Sequence, residues 1–222
     1  MTLFDIIGPV MVGPSSSHTA GAVKIGLAAR KLMRQKILSA RINFHGSFLA
    51  TGHGHGTDCA VVAGLLGMAV DDERIPDSIQ YAEDAGMRIT FGACDLGEDA
   101  HPNSVRMFLT GDRGKTLEIE AASLGGGRIM ITKLDGLSAN FSGDFPTLIV
   151  HNQDTPGHVA EVTMMLKNNA INIATMQLYR ASRGGSAVMV LECDQEIPID
   201  QVRYISGLPG INKVTYYSLE ES

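Results

Sequence analysis

The chain has no tryptophan, only 5% aromatic residues and no excess of positive charge, its formal net charge being -6. Nucleic-acid binders usually carry a basic stripe to meet phosphates, so the balance argues against that class. No apolar run approaches the ~18–20 residues that cross a bilayer. The start, Met1-Thr2-Leu3-Phe4-Asp5, lacks a basic region followed by a long apolar stretch, so neither a membrane span nor a secretory signal is expected. Cysteines are three, Cys59, Cys94 and Cys193, odd in number and far apart. They predict reduced thiols in a cytoplasmic protein rather than a disulfide framework. Without CxxC-type spacing, the chain has no iron–sulfur or zinc signature of its own.

What is present begins with Gly13-Pro14-Ser15-Ser16-Ser17-His18-Thr19, hydroxyls and an imidazole placed just ahead of a helical pattern. A helix start offers unpaired N–H groups and partial positive charge, which receive a carboxylate or phosphate. Thr51-Gly52-His53-Gly54-His55-Gly56-Thr57-Asp58 repeats the arrangement before a second helix. Two such tracts suggest a site for a small anionic molecule.

With 222 residues, 44% of them apolar, the chain can bury a core and form one or two domains. Ile25, Ala28, Ala29 and Leu32 recur at helical spacing and predict a helix over roughly residues 19–36, with Arg30, Lys31, Arg34 and Lys36 toward its negative end. Arg41–Phe44 alternates as a short strand, and residues 58–70 are apolar almost all round, as in a buried helix. From about residue 75 the texture predicts a small α+β unit with an antiparallel sheet, its short strands at 105–110, 116–121 and 128–134 joined by Gly-rich turns. From Phe145 the order reads strand (147–150), helix from 159, strand (171–179), strand (187–193), helix (198–206), strand (211–217). That is the ferredoxin-like βαββαβ motif.

Single serines before helices are usually caps, and single histidines usually surface or hydrogen-bonded groups. Together, however, the tracts hold His18, His53 and His55, with His45 close by, among glycines that allow a ligand to approach. Imidazoles move protons near neutrality, so acid/base chemistry fits. His53-Gly54-His55 is also a weak metal-binding pattern. A serine-hydrolase elbow (G-x-S-x-G) and a phosphate P-loop are both absent.

These tracts, with Gly46-Ser47-Phe48-Leu49-Ala50 leading into the second, resemble the beta component of bacterial iron–sulfur L-serine dehydratases across essentially the whole chain. The resemblance implies an α+β protein. Residues 1–144 would form a serine dehydratase beta-type domain, allosteric-substrate-binding-like in its middle section, and residues 145–222 a ferredoxin-like ACT domain. It implies deamination of L-serine to pyruvate and ammonia with a [4Fe–4S] cluster as Lewis acid. The cluster ligands belong to an alpha subunit, so this chain would be half an enzyme. By resemblance Ser15, Ser16, Ser17, Thr19, Thr57 and Asp58 bind substrate, and His18, His55 and His53 orient it or handle its proton.

The middle section offers His101-Pro102-Asn103-Ser104 and Gly125-Gly126-Gly127-Arg128 as anion-binding turns, with His101 and Asn103 as regulatory contacts. The ACT-like tail offers the loop Asn152, Asp154, Gly157 and His158 for a small amino acid, with Asn172 as a second contact. Pairing of ACT sheets would make a homodimer. Two other readings remain open at this stage: a stand-alone amino-acid sensor, and a hydrolase holding a metal with His53 and His55. Two His-rich helix starts outside the ACT-like region are superfluous in a pure sensor.

Overall fold

The computed structural model describes residues 11–13, 15–52 and 54–219, and these divide into two compact units, at Gly136/Leu137. In the first unit a π-helical turn, Ser16–Gly21, runs into α1 (Ala22–Met33). The helix stops at Arg34, whose left-handed backbone (φ 50) sends its N–H back to the Arg30 carbonyl. Then come β1 (Ile37–His45), α2 (Gly46–Thr51) and α3 (Thr57–Leu66). A short 3-10 turn (Ile75–Asp77), α4 (Ser78–Asp84) and β2 (Arg88–Ala93) follow, then β3 (Asn103–Gly111), β4 (Thr116–Gly125) and β5 (Arg128–Leu134).

These strands form one sheet in the order β2-β1-β3-β4-β5, with β1 and β2 parallel and the rest antiparallel. Alternation sets the inward face of β1: Ala40, Ile42 and Phe44 are buried while Arg41 is exposed. Val105, Met107 and Leu109 continue that pattern on β3. In α3, Ala60, Val61, Val62, Ala63 and Leu65 are all buried, and the helix ends at Gly67, where φ is 90. Helices α1 and α3 meet through glycines. A Cβ on Gly26 would lie 2.2 Å from the Val61 carbonyl, and one on Gly64 would lie 2.1 Å from the Val23 carbonyl. Backbone touches backbone there.

The second unit contains β6 (Leu137–Phe141), then β7 (Thr147–Gln153), α5 (His158–Asn168), β8 (Ile173–Arg180), β9 (Ser186–Cys193), α6 (Ile199–Ser206) and β10 (Ile211–Tyr217). Its four-stranded sheet is ordered β10-β7-β9-β8 with every pair antiparallel, the split βαββαβ arrangement expected from the tail. Leu148, Val150, Val162, Leu166, Met189 and Leu191 lie in its core. β6 and the residues after it are fastened here by polar contacts. Asn140 donates to Tyr179 (2.9 Å), and Gln177 donates to the Asn140 carbonyl (2.7 Å). The buried Glu192 carboxylate accepts from the Ser142 N–H (2.9 Å), the Ser142 hydroxyl (2.7 Å) and the Thr175 hydroxyl (2.6 Å). Glu192→Ala orphans these donors and should cost about 2 kcal/mol. An unchanged urea midpoint would show that the carboxylate holds nothing in place.

Several sequence expectations are corrected. The helix expected over 19–36 is a π-turn plus a shorter α1, and the buried helix expected to reach residue 70 stops at Leu66 because Gly67 takes a left-handed conformation. The section from about residue 75, expected as a small α+β unit with short strands, opens with a 3-10 turn and α4 before β2, an opening helix to which no residues had been assigned.

Candidate active site

The first Ser-rich tract is positioned by the π-turn. Ser15, in extended conformation, is its N-cap, and its Oγ accepts the His18 backbone N–H at 3.3 Å. The same oxygen is 3.4 Å from His18 Nδ1. On the other side of the ring, His18 Nε2 is 3.1 Å from Thr51 Oγ1 and 3.5 Å from Ser47 Oγ. Phe48, buried beneath, meets the His18 ring edge-on at 5.2 Å between centroids, and the His55 ring lies 5.1 Å away. The two tracts thus converge on one imidazole pair.

Helix α2 carries Ser47, Phe48 and Thr51, and the sheet holds its start. Gly46 (φ 55) turns the chain out of β1, and a Cβ there would sit 2.6 Å from the Pro102 carbonyl oxygen. That carbonyl accepts the Ser47 N–H at 2.7 Å and the Phe48 N–H at 3.3 Å, so it caps a helix that has no capping side chain. His101 and Asn103 flank this carbonyl. His101 Nδ1 accepts the Asn103 N–H (3.1 Å), and the Ser104 hydroxyl donates to the His101 carbonyl (2.6 Å). The turn expected to bind an anion therefore buttresses α2. The Gly125-Gly126-Gly127 turn, left-handed at all three residues, is likewise engaged: the Gly126 N–H donates to Ser16 Oγ at 3.3 Å. Ser17 lies against Gly125, where an added Cβ would be 3.5 Å from its hydroxyl oxygen.

Not every expected residue faces this pair. Thr19 and Thr57 are buried, and their hydroxyls have no hydrogen-bond partner among the described residues. The π-turn rolls Thr19 inward against Gly13, and Thr57 is enclosed where its N–H meets the Gly52 carbonyl at 2.8 Å. Asp58 is half-buried on the first turn of α3, and one of its oxygens accepts the Cys59 N–H at 2.9 Å. His53 and Pro14 lie outside the described residues. Ser47 and Thr51, which contact the imidazole directly, were quoted in the tracts but not singled out. Their i, i+4 spacing joins them on one face only once Gly46–Thr51 is helical, which the sequence did not signal.

In the second unit, Asn152 is buried, its amide N–H donating to the Gln153 carbonyl while its side-chain oxygen has no partner among the described residues. Asp154 accepts the Gly184 N–H at 3.0 Å and pairs with Arg180 at 3.3 Å, which together hold its carboxyl below the usual carboxylate range. Gly157 (φ 113) precedes α5, and buried His158 contacts Thr155 (3.0 Å) and Glu161 (3.4 Å). Asn172 sits apart from this loop. It donates to Asp194 at 2.6 Å, beyond the Cys193 end of β9, whereas Gln153 pairs with Ser186 at the other end. A strand of that length separates them, so one chain does not bring Asn172 to the loop.

Partial burial, then the neighbouring His55 charge, push the His18 pKa below its ordinary 6.5, and the Ser47 carbonyl opposes the shift. Neutral imidazole is the favoured form at neutral pH. All three thiols are held in the protonated form. Burial, followed by nearby acids, raises Cys59 and raises Cys193 to about 11, and burial raises Cys94. All three thiols donate to carbonyls, Cys59 to Pro76, Cys94 to Asn43 and Cys193 to Leu191. Among the described residues no group of three or more His, Cys, Asp or Glu is arranged to hold a metal. This donor set does not fit a [4Fe–4S] cluster. No described helix is long and apolar enough to cross a membrane.

A histidine pair, its His18 member framed by hydroxyls, thus lies on an α+β unit that is followed by a βαββαβ unit. Residues 2–133 match the family of serine dehydratase beta chains. The chain is 42% identical to the probable L-serine dehydratase beta chain of Bacillus subtilis and 34% identical to the L-serine dehydratase beta chain of Peptoniphilus asaccharolyticus, each match covering 96% of both chains. It is also 26% identical to D-3-phosphoglycerate dehydrogenase of Bacillus subtilis over 89% of this chain and 37% of that one. The chain belongs to the serine dehydratase beta chain family.

Proposed function

We propose that this chain is the beta component of an L-serine dehydratase and supplies the proton-handling face of a site completed by a cluster-bearing alpha chain. The observation that carries the reading is the His18–His55 pair, framed by Ser15, Ser47 and Thr51. Loss of the serine hydroxyl requires removal of the α-proton, and neutral imidazoles suit that task near pH 7. The resulting aminoacrylate takes up water to give pyruvate and ammonia. Ser16 and Ser17, half-buried against the Gly125–Gly127 turn, would bind the polar substrate. Because the thiols of this chain do not suit the cluster, its ligation is assigned to the partner.

The tail reads as an ACT domain from about residue 145, with Asn152, Asp154, Gly157 and His158 as its amino-acid loop. The strand order and the left-handed Gly157 ahead of α5 support this. Its pairing with a second copy would make a homodimer, and the chain as a whole is proposed to work in the cytoplasm.

The test is anaerobic, serine-dependent pyruvate formation with this chain alone, the alpha chain alone and the mixture. Activity confined to the mixture supports a shared site, whereas full activity of the alpha chain alone reduces this chain to a regulator. The pH dependence carries a sign. With the His18 pKa below 6.5, the neutral form persists under 6.5, so the acid limb of kcat/KM should lie below that value. By the same linkage, folding stability contributed by this group is complete above 6.5 and declines as pH falls from 6.5 through the folded value. Removing the neighbouring charge with His55→Ala should raise the His18 pKa in an NMR titration, and an unmoved or lower value would contradict the coupling.

A further inference from the structure

We infer that Thr51 is a positioning residue that fixes opposite tautomers on the two histidines, leaving Nδ1 of His18 and Nε2 of His55 as the proton-accepting nitrogens. The inference rests on the reading of His18 and His55 as proton-handling groups, and it follows from counting protons. Thr51 has one hydroxyl proton, and its Oγ1 donates to the Ser47 carbonyl at 3.0 Å, a turn earlier on α2. With that proton committed, the oxygen can only accept from His18 Nε2, 3.1 Å away. His18 Nε2 must therefore carry a hydrogen. The Ser47 carbonyl also faces this ring and, being an acceptor only, favours the same assignment.

The far side of the ring agrees. Ser15 Oγ already accepts the His18 backbone N–H, so its own proton is available to donate to Nδ1 at 3.4 Å. The bonds then run in one direction, from Ser15 through His18 and Thr51 to the Ser47 carbonyl. In the reverse direction Thr51 would have to give up its bond to that carbonyl.

The carbonyl of the same Thr51 decides the second ring. It lies 3.0 Å from His55 Nδ1 and also accepts the His55 backbone N–H at 3.2 Å, using both lone pairs. A carbonyl cannot donate, so His55 carries its hydrogen on Nδ1, and its basic lone pair is on Nε2. One residue thus sets two tautomers by two different atoms, the hydroxyl for His18 and the backbone for His55. Substitution can remove the first and cannot remove the second.

That asymmetry provides the control. Long-range proton–nitrogen NMR on the full-length chain labelled at histidine, at a pH above the imidazole range, reads the tautomers directly. The wild type should show Nε2–H on His18 and Nδ1–H on His55. Thr51→Val, similar in shape but without the hydroxyl, should lose the His18 preference and keep the His55 pattern. Thr51→Ser should keep both. In the mixture with the alpha chain, Thr51→Val should lower kcat about tenfold with little change in KM, and Thr51→Ser should restore it. Nδ1–H on His18, Nε2–H on His55, or a Thr51→Val spectrum identical to the wild type would each overturn the inference. So would full kcat in Thr51→Val. The tautomers are read on this chain alone, so they stand or fall separately from whether the mixture turns over serine.

Discussion

Replacing His18 with alanine should lower kcat for serine-dependent pyruvate formation, assayed with the alpha chain, by about 10²–10⁴-fold, the usual range for a positioned acid/base group. The ring is engaged at both nitrogens, by Ser15 on one side and by Thr51 and Ser47 on the other, and it rests edge-on against Phe48. It is only half-buried, so its removal should leave α1 and the sheet folded. Circular dichroism and binding to the alpha chain should therefore match the wild type while turnover collapses. A variant that retains most of its kcat would mean that the imidazole is scenery and that the proton is handled by the partner.

The largest stability effect is expected at the α1–α3 crossing. At Gly64 the nearest atoms to an added Cβ are the Val23 carbonyl oxygen (2.1 Å) and the Leu27 nitrogen (2.7 Å), and at Gly26 the Gly64 Cα itself would be 2.9 Å away. These are backbone atoms, so no rotamer change relieves the clash, and the helices must separate. Gly64→Val should cost about 3 kcal/mol. Gly207→Ala is the companion measurement, because the added carbon there meets nothing nearer than 3.5 Å. Urea denaturation of both should show a large loss at Gly64 and little at Gly207. Equal midpoints would indicate that the helix pair slides apart at no cost.

Much of the second unit was legible because alternation and helical spacing map directly onto its elements. Ile211–Tyr217 is β10 as expected, and the strand expected at 187–193 differs from β9 by one residue. The first unit was harder where geometry departs from the regular periods. No pattern marks the π-turn, since its residues carry polar and apolar faces that suit a cap or a helix equally. Helix α2 was hidden because Gly46–Thr51 reads as a glycine-bounded tract, and what organises it is the Pro102 carbonyl, far along the chain. Thr51 was missed for the same reason. Its role depends on a helix that only the sheet makes possible. His101 and Asn103 were read as ligand contacts, but they flank the carbonyl that starts α2. Asn172 was placed with the loop by likeness alone, and strand length puts it at the other end of the sheet.

The π-turn at Ser16–Gly21 places a constraint on the length of the tract as well as on its letters. Each residue advances an α-helix by roughly 100°, and a π-turn accommodates one residue more than an α-turn would. That surplus lets Thr19 and Ala20 roll into the interior while His18 still looks toward Thr51 and His55. Loss or gain of one residue between His18 and Ala22 would swing the imidazole by more than a quarter turn relative to α1. Exchanging one hydroxyl residue for another would leave its direction intact. Insertions and deletions in this stretch are therefore expected to be far more damaging than substitutions.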